Sequence, residues 1–149
     1  MRRLSVQAVV LSLVIFAAGP ALPRNVKLIL PIAAATQAIT GEDRPTGAVK
    51  FFFGDENTPE IVAEFGTHAV TPRTSAMGTS DEKACYGAFQ WTLVNLEKRA
   101  QRLGANAVIN IVSFYKKNEL SSTTEFECHV GDVIASVFLR GKFVRIADR

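Results

Sequence analysis

The chain has 149 residues, of which 17 are basic, 14 are acidic and 48% are hydrophobic. This length suits one domain built around one hydrophobic core. The net charge of +3 is small, and acidic residues are interspersed among the basic ones. We therefore predict no nucleic-acid-binding surface.

The N-terminus has the pattern of a secretory signal peptide. Arg2 and Arg3 precede an apolar stretch over residues 4–18, and small residues follow as far as Ala21. A membrane anchor is the alternative, but the apolar run is about 15 residues long and a spanning helix needs about 20. We predict cleavage after Ala21, export to the periplasm, and one domain over residues 22–149 with no membrane attachment. Cleavage would lower the net charge from +3 to +1, because all 14 acidic residues lie beyond it.

Strand and loop patterns alternate through the rest of the chain. Strand patterns occupy residues 25–30, 48–53, 60–70, 106–115, 124–130, 133–139 and 142–146. A short helix is predicted over residues 32–40. Turn-forming residues at 54–59 predict a hairpin of the second and third strands, and the polar loop 116–123 predicts a long hairpin of the fourth and fifth. Gly131 indicates a bulge before the sixth strand.

A long helix is predicted over Asp81–Leu103. Thr79 and Glu82 have the spacing of a capping box at its start, and Gly104 supplies its end. Apolar residues recur with the helical period between these limits. Mostly antiparallel strands and one long helix indicate an α+β fold of two layers, with the helix packed on the sheet.

The two cysteines are predicted to form a disulfide. Cys85 lies on the apolar stripe of the long helix, together with Phe89. Cys128 lies on the apolar face of its strand, together with Phe126, because alternate side chains point to opposite faces. Both sulfur atoms therefore point into one interior layer, and an exported chain meets an oxidising compartment. Two buried thiols are the alternative.

The neighbouring Cys128 and His129 are not expected to work together. They point to opposite faces of the strand, so they cannot form a thiolate–imidazole pair or share a metal ion. The face of His129 also carries Glu125 and Glu127. We predict that this is a solvated polar face. The alternative is a transition-metal site that uses His129 and Glu127 with help from His68.

Two apolar residues of the helix point away from the predicted core. Trp91 lies about 120° from the stripe and Val94 about 180° from it, at 100° per residue. Their positions indicate a contact surface for a protein partner or a second subunit. The alternative is that Trp91 is covered by the loop over residues 71–80.

Motifs for several chemistries are missing from the sequence. No phosphate-binding loop, no G-x-S-x-G and no C-x-x-C occurs. Asp55 and Glu56 are adjacent carboxylates in a turn, which is typical of a solvated loop rather than of an acid–base pair. We therefore predict no catalysis and no cofactor.

The segment LEKRAQRLGANAVINIVSFYKKNELSSTTEFECHVGDVIASVFLRG, residues 96–141, resembles small exported bacterial proteins labelled "excinuclease ATPase subunit". Residues 81–141 are more distantly similar to the YbjQ-like family labelled as heavy-metal-binding, and to the RcsF envelope stress-sensor lipoproteins. In the latter, one cysteine ahead of the helix pairs with one in the strand after A-N-A-V. Cys85 and Cys128 occupy the matching positions, so the resemblance implies the same bridge. YbjQ-like proteins form rings, which implies self-association through Trp91.

These observations predict an exported, non-catalytic binding or protein-interaction module, with a link to envelope stress implied by the resemblance. A metal-binding protein that uses the polar strand face is the alternative. The missing phosphate-binding loop leaves ATPase and DNA-repair activities without support.

Overall fold

The computed structural model describes residues 19–147. The apolar stretch 4–18 lies outside the described residues, so the signal peptide stays a prediction. The strands are β1 (Val26–Pro31), β2 (Lys50–Phe53), β3 (Ile61–Val70), β4 (Arg73–Ser75), β5 (Ala107–Tyr115), β6 (Asn118–Leu120), β7 (Glu125–Val130), β8 (Ile134–Val137) and β9 (Leu139–Ile146), and the helices are α1 (Ile32–Gln37) and α2 (Asp81–Leu103). The predicted α+β class with one long helix is confirmed.

The strands form two sheets, and the chain passes between them several times. A four-stranded sheet has the order β1-β7-β8-β4, and a larger sheet has the order β2-β5-β9-β3 with β6 beside β5. Among the described strands, β2 and β5 pair in parallel and all other pairs are antiparallel. The chain passes from one sheet to the other at Phe138, between the end of β8 and the start of β9. α2 contacts strands of both sheets.

Both predicted hairpins are wrong. β2 pairs with β5, and β3 pairs with β9, so β2 and β3 lie at opposite edges of their sheet. β5 turns back into β6, which the sequence analysis missed, and β7 belongs to the other sheet. Lys116 and Lys117 form that tight turn with φ of 48° and 67°, which is the geometry of a two-residue hairpin loop.

The chain also turns at Gly131, where a bulge was predicted. Val130 pairs with Ala135, and the Gly131 N–H donates to the carbonyl of Ile134 at 2.8 Å. β7 and β8 therefore form a tight antiparallel hairpin. The prediction of a bulge is wrong because this turn reverses the strand direction within one sheet.

α2 begins and ends at the predicted residues, although its cap differs. Ser80, not Thr79, is the N-cap, because its Oγ accepts from the Lys83 N–H at 3.3 Å. Gly104 ends the helix in the left-handed conformation, with a φ of 77°, which glycine adopts without steric cost. Among the described residues, no helix is long and apolar enough to cross a bilayer.

The disulfide is confirmed. Cys85 of α2 is bonded to Cys128 of β7, with the two Cα atoms 5.9 Å apart, and both residues are fully buried. Beside it, the ring of Phe89 stacks on Phe126 and Phe53, with centroid distances of 4.4 and 6.0 Å. This cluster joins the helix to both sheets.

Gly141→Ala is expected to lower the free energy of unfolding by about 1–3 kcal/mol, because the site has no room for a methyl group. A Cβ at Gly141 would lie 2.5 Å from Cγ1 of Val108 and 3.2 Å from Cγ1 of Ile111, and both neighbours are fully buried. Urea unfolding would measure the loss. Gly87→Ala in α2 is the matched control, because its new Cβ would meet Thr74 at an ordinary 3.8 Å. An equal change in both variants would contradict the packing at Gly141.

Candidate binding site on the four-stranded sheet

One face of the four-stranded sheet points away from α2 and carries a row of polar side chains. The strand register places Lys27 opposite His129, His129 opposite Ser136, and Ser136 opposite Arg73. Residues directly opposite each other point to the same side of a sheet. The row therefore crosses all four strands, and we call this side of the sheet the outer face.

A tightly bonded pair lies in the middle of the outer face. Nε2 of His129 lies 2.6 Å from Oε1 of Glu127, and the other carboxylate oxygen lies 3.0 Å from Nζ of Lys27. Glu127 is 8% exposed and His129 is 9% exposed. The alternation predicted from the sequence is correct for these two residues, but the prediction that this face is solvated is wrong at both of them.

The residues that bury the pair come from outside the sheet. The ring of Tyr115, at the end of β5, stacks on the imidazole of His129 with a centroid distance of 3.5 Å. Phe138 meets the Tyr115 ring edge-on at 4.8 Å. Because Phe138 lies where the chain passes between the sheets, that crossing brings the end of β5 over the outer face.

The pKa of Glu127 reflects two opposing effects. Burial raises the pKa, but the hydrogen bonds and charges of His129 and Lys27 outweigh burial and hold it below the ordinary 4.5. A carboxylate whose pKa is lower in the folded state stabilises the fold above its unfolded-state pKa. That stabilisation is lost as the pH falls through the lower, folded-state value.

Glu127→Gln is therefore expected to lower the free energy of unfolding by about 1 kcal/mol at pH 7, because it removes a charged hydrogen-bond acceptor. The difference from the wild-type chain should shrink as the pH falls below the ordinary glutamate value of 4.5 and through the lower folded-state pKa of Glu127. Urea unfolding at a series of pH values would measure it. Lys27→Met is the control and should change stability by less than about 0.5 kcal/mol, since the Lys27 side chain is 58% exposed. A Glu127→Gln difference that stays constant down to pH 3 would contradict this interpretation.

A shallow pocket of about 220 Å³ lies beside the pair, and we call it the His129 pocket. Its polar lining comes from Arg24, Asn25, Arg73, His129 and Ser136, and its apolar lining includes Tyr115, Ile134 and Phe138. Among residues 19–147, no carboxylate lines the pocket. The guanidinium of Arg24 is paired with Asp81, whereas Arg73 has no ion pair with any residue between 19 and 147.

The geometry of the pocket does not pair a nucleophilic side chain with a base that is free to accept its proton. Both ring nitrogens of His129 are engaged, Nε2 with Glu127 and Nδ1 with Oδ1 of Asn25 at 3.2 Å. Ser136 lies on the neighbouring strand without a hydrogen bond to the imidazole. A serine–histidine relay requires that bond. Cys128 points to the opposite face and is held in the disulfide.

The structure does not bring His68 to His129. His68 lies on β3 of the larger sheet, where its Nδ1 is 3.1 Å from Nη2 of Arg99 and its ring packs edge-on against Phe143. Over residues 19–147, no group of three or more His, Cys, Asp or Glu side chains is arranged to hold a metal ion. Glu127 and His129 are in contact, but His68, the third ligand of the alternative metal site, lies apart from them.

The predicted contact surface on α2 is only partly present. Trp91 is 37% exposed, but Val94 is only 6% exposed. Gln90 donates to backbone carbonyls of Thr40 and Asp43, and Glu97 accepts from Thr46 at 2.8 Å. Val94 lies between these two residues on the same side of the helix, which residues 40–46 therefore cover. The prediction for Val94 is wrong.

Sequence reasoning missed Arg73, Ser136 and Tyr115 as neighbours of His129. Arg73 belongs to a three-residue strand that is too short for a periodic signal. The alternation in "VIASVFL" does indicate that Ser136 points away from the core. Nothing in the local sequence identifies the strand that lies beside it.

Comparison of the chain with protein-family models, with curated proteins and with solved structures found no match.

Proposed function

We propose that this chain is an exported, non-catalytic protein-interaction module, and that its contact surface is the outer face around the His129 pocket. The observation that carries the proposal is the combination of exposed apolar residues and unpaired polar groups on this face. Ile29 is 42% exposed, Val133 50% and Ile134 39%. Aliphatic residues this exposed, next to a polar pocket, are typical of an interaction site.

Three exposed apolar residues lie at the end of the sheet that carries the β7–β8 turn. Ile134 lines the pocket, and Val133 precedes it in the β7–β8 turn. The backbone of Ala76 donates to the carbonyl of Val133 at 3.0 Å, which brings Met77, 69% exposed, to the same end. We call Met77, Val133 and Ile134 the apolar strip.

Export is supported by two features. The arrangement of residues 1–21 is that of a signal peptide, and the buried Cys85–Cys128 disulfide is compatible with an oxidising compartment. The resemblance of residues 81–141 to envelope stress-sensor lipoproteins favours the periplasm as the place of action.

The absence of catalysis is supported by the geometry at His129. Both nitrogens of the imidazole are occupied by Glu127 and Asn25, so the ring is held as a structural group. General base catalysis needs a nitrogen within reach of a proton on the substrate or the nucleophile. Binding needs only the exposed side of the pocket.

Cross-linking and co-purification from the native envelope would test the proposal, with variants that separate specific from adventitious capture. Ile134→Lys should abolish the capture of a partner that the wild-type chain captures. Val62→Lys is the matched control, because Val62 is a 57% exposed aliphatic residue on β3 of the other sheet. Melting curves would confirm that both variants are folded. Equal capture by both variants, or loss of capture only with Trp91→Ala, would overturn the assignment of this surface.

A further inference from the structure

We infer that the His129 pocket binds a free carboxylate attached to an apolar group, such as the C-terminal residue of a partner protein. This inference rests on the proposed function and names the chemistry of the partner at the same face. The charge, the hydrogen-bond donors and the apolar surroundings of the pocket support it independently.

The charge of the pocket favours a single negative charge. The described residues contribute no carboxylate to the lining, and Asp81 already neutralises Arg24. The carboxylate of Glu127 is likewise already paired, with Lys27 and His129. Arg73 therefore supplies one guanidinium without a partner among residues 19–147, and a guanidinium matches a carboxylate in charge and planar shape. A phosphate dianion would need a second free cation.

The donors converge on the same opening. Arg73 and Ser136 are directly opposite each other on β4 and β8, and both line the pocket. The side-chain oxygen of Asn25 is engaged by His129 at 3.2 Å, which leaves its amide NH₂ group to donate elsewhere. A guanidinium, a hydroxyl and an amide NH₂ can satisfy both oxygen atoms of a carboxylate.

The rim of the pocket accommodates the apolar part of the ligand. Ile134 lines the pocket and is also part of the apolar strip. Tyr115 and Phe138 supply aromatic walls. A ligand whose carboxylate reaches Arg73 would therefore rest its side chain on Ile134. Capture of a C-terminal carboxylate by converging donors is a known mode of peptide recognition.

NMR titration of the full-length mature chain with N-acetyl-leucine, N-acetyl-leucinamide and inorganic phosphate would test this inference. The acid should bind with a Kd of about 1 mM, which is reasonable for a ligand of this size, and at least about tenfold more tightly than the amide. Shifts should centre on Ser136 and Ile134. Arg73→Gln should weaken binding of the acid by about tenfold or more. Lys98→Gln, which removes an exposed positive charge from α2, should leave it unchanged.

Several results would overturn the carboxylate assignment. These are equal affinity for acid and amide, no binding of the acid, phosphate binding as tightly as the acid, or an Arg73→Gln variant that binds like the wild-type chain. Failure here is distinguishable from failure of the proposed function. Capture that is lost in Ile134→Lys but kept in Val62→Lys would preserve the interaction surface even if N-acetyl-leucine does not bind.

Discussion

Reduction of the Cys85–Cys128 disulfide is expected to lower the free energy of unfolding by about 4 kcal/mol. The bond joins residues 43 positions apart, and closing a loop of that length removes a corresponding amount of chain entropy from the unfolded state. Small domains have a total stability of about 5–15 kcal/mol, so this one bond accounts for a large share of it. Urea unfolding with and without a phosphine reductant would measure the difference.

The double variant Cys85→Ala/Cys128→Ala provides the control. It should be about as unstable as the reduced wild-type chain, and the reductant should have no effect on it. Because both sulfur atoms are fully buried, complete reduction needs partial unfolding, and thiol counting must accompany the measurement. An unchanged urea midpoint in a wild-type sample with two free thiols would contradict the predicted contribution.

Phe89→Ala is expected to cost about 3–5 kcal/mol, because it leaves a cavity in the middle of the core. The ring is fully buried and stacks on Phe53 from β2 and Phe126 from β7. Its loss would loosen the contacts of α2 with both sheets. Chemical unfolding of the oxidised protein would measure the change.

Two further variants serve as controls for Phe89→Ala. Phe89→Leu keeps most of the buried carbon atoms and should cost clearly less than Phe89→Ala. Val62→Ala removes an exposed aliphatic side chain from β3 and should change stability by about 0.5 kcal/mol or less. A Phe89→Ala variant as stable as Val62→Ala would contradict the packing of Phe89 against both sheets.

The helix and the disulfide could be predicted because their signals are local. The bounds Asp81–Leu103 follow from the apolar period, an N-terminal capping residue and Gly104. The disulfide could be predicted because the helical and strand periods place Cys85 and Cys128 on the inward-facing sides of their elements. Even here the cap was assigned one residue too early, since Thr79 and Ser80 both suit that position.

Strand pairing could not be predicted because it depends on residues far apart in the chain. The turn-like segment 54–59 does contain a turn, in which the Glu56 N–H donates to the carbonyl of Phe53 at 3.1 Å. The Gly54 N–H, however, donates to the carbonyl of Ile111, and this bond continues the pairing of β2 with β5. The Phe-rich β2 thereby lies against an interior strand, instead of returning on β3.

The candidate site could be predicted only in part, for the same reason. Alternation along β7 placed Glu127 and His129 on one side and Cys128 on the other, as the structure does. The burial of that pair depends on Tyr115 and on the sheet-to-sheet crossing at Phe138. Neither contact leaves a periodic signal in the sequence.

Photo-cross-linking in the native envelope would show whether the outer face contacts a partner protein. A photoreactive benzophenone amino acid would replace Ile134 on the outer face, and in separate samples Val62 on β3 or Trp91 on α2. We expect a discrete protein adduct from position 134 and none from position 62 or 91. An adduct that forms from position 91 but not from position 134 would contradict the assignment of the outer face as the contact surface.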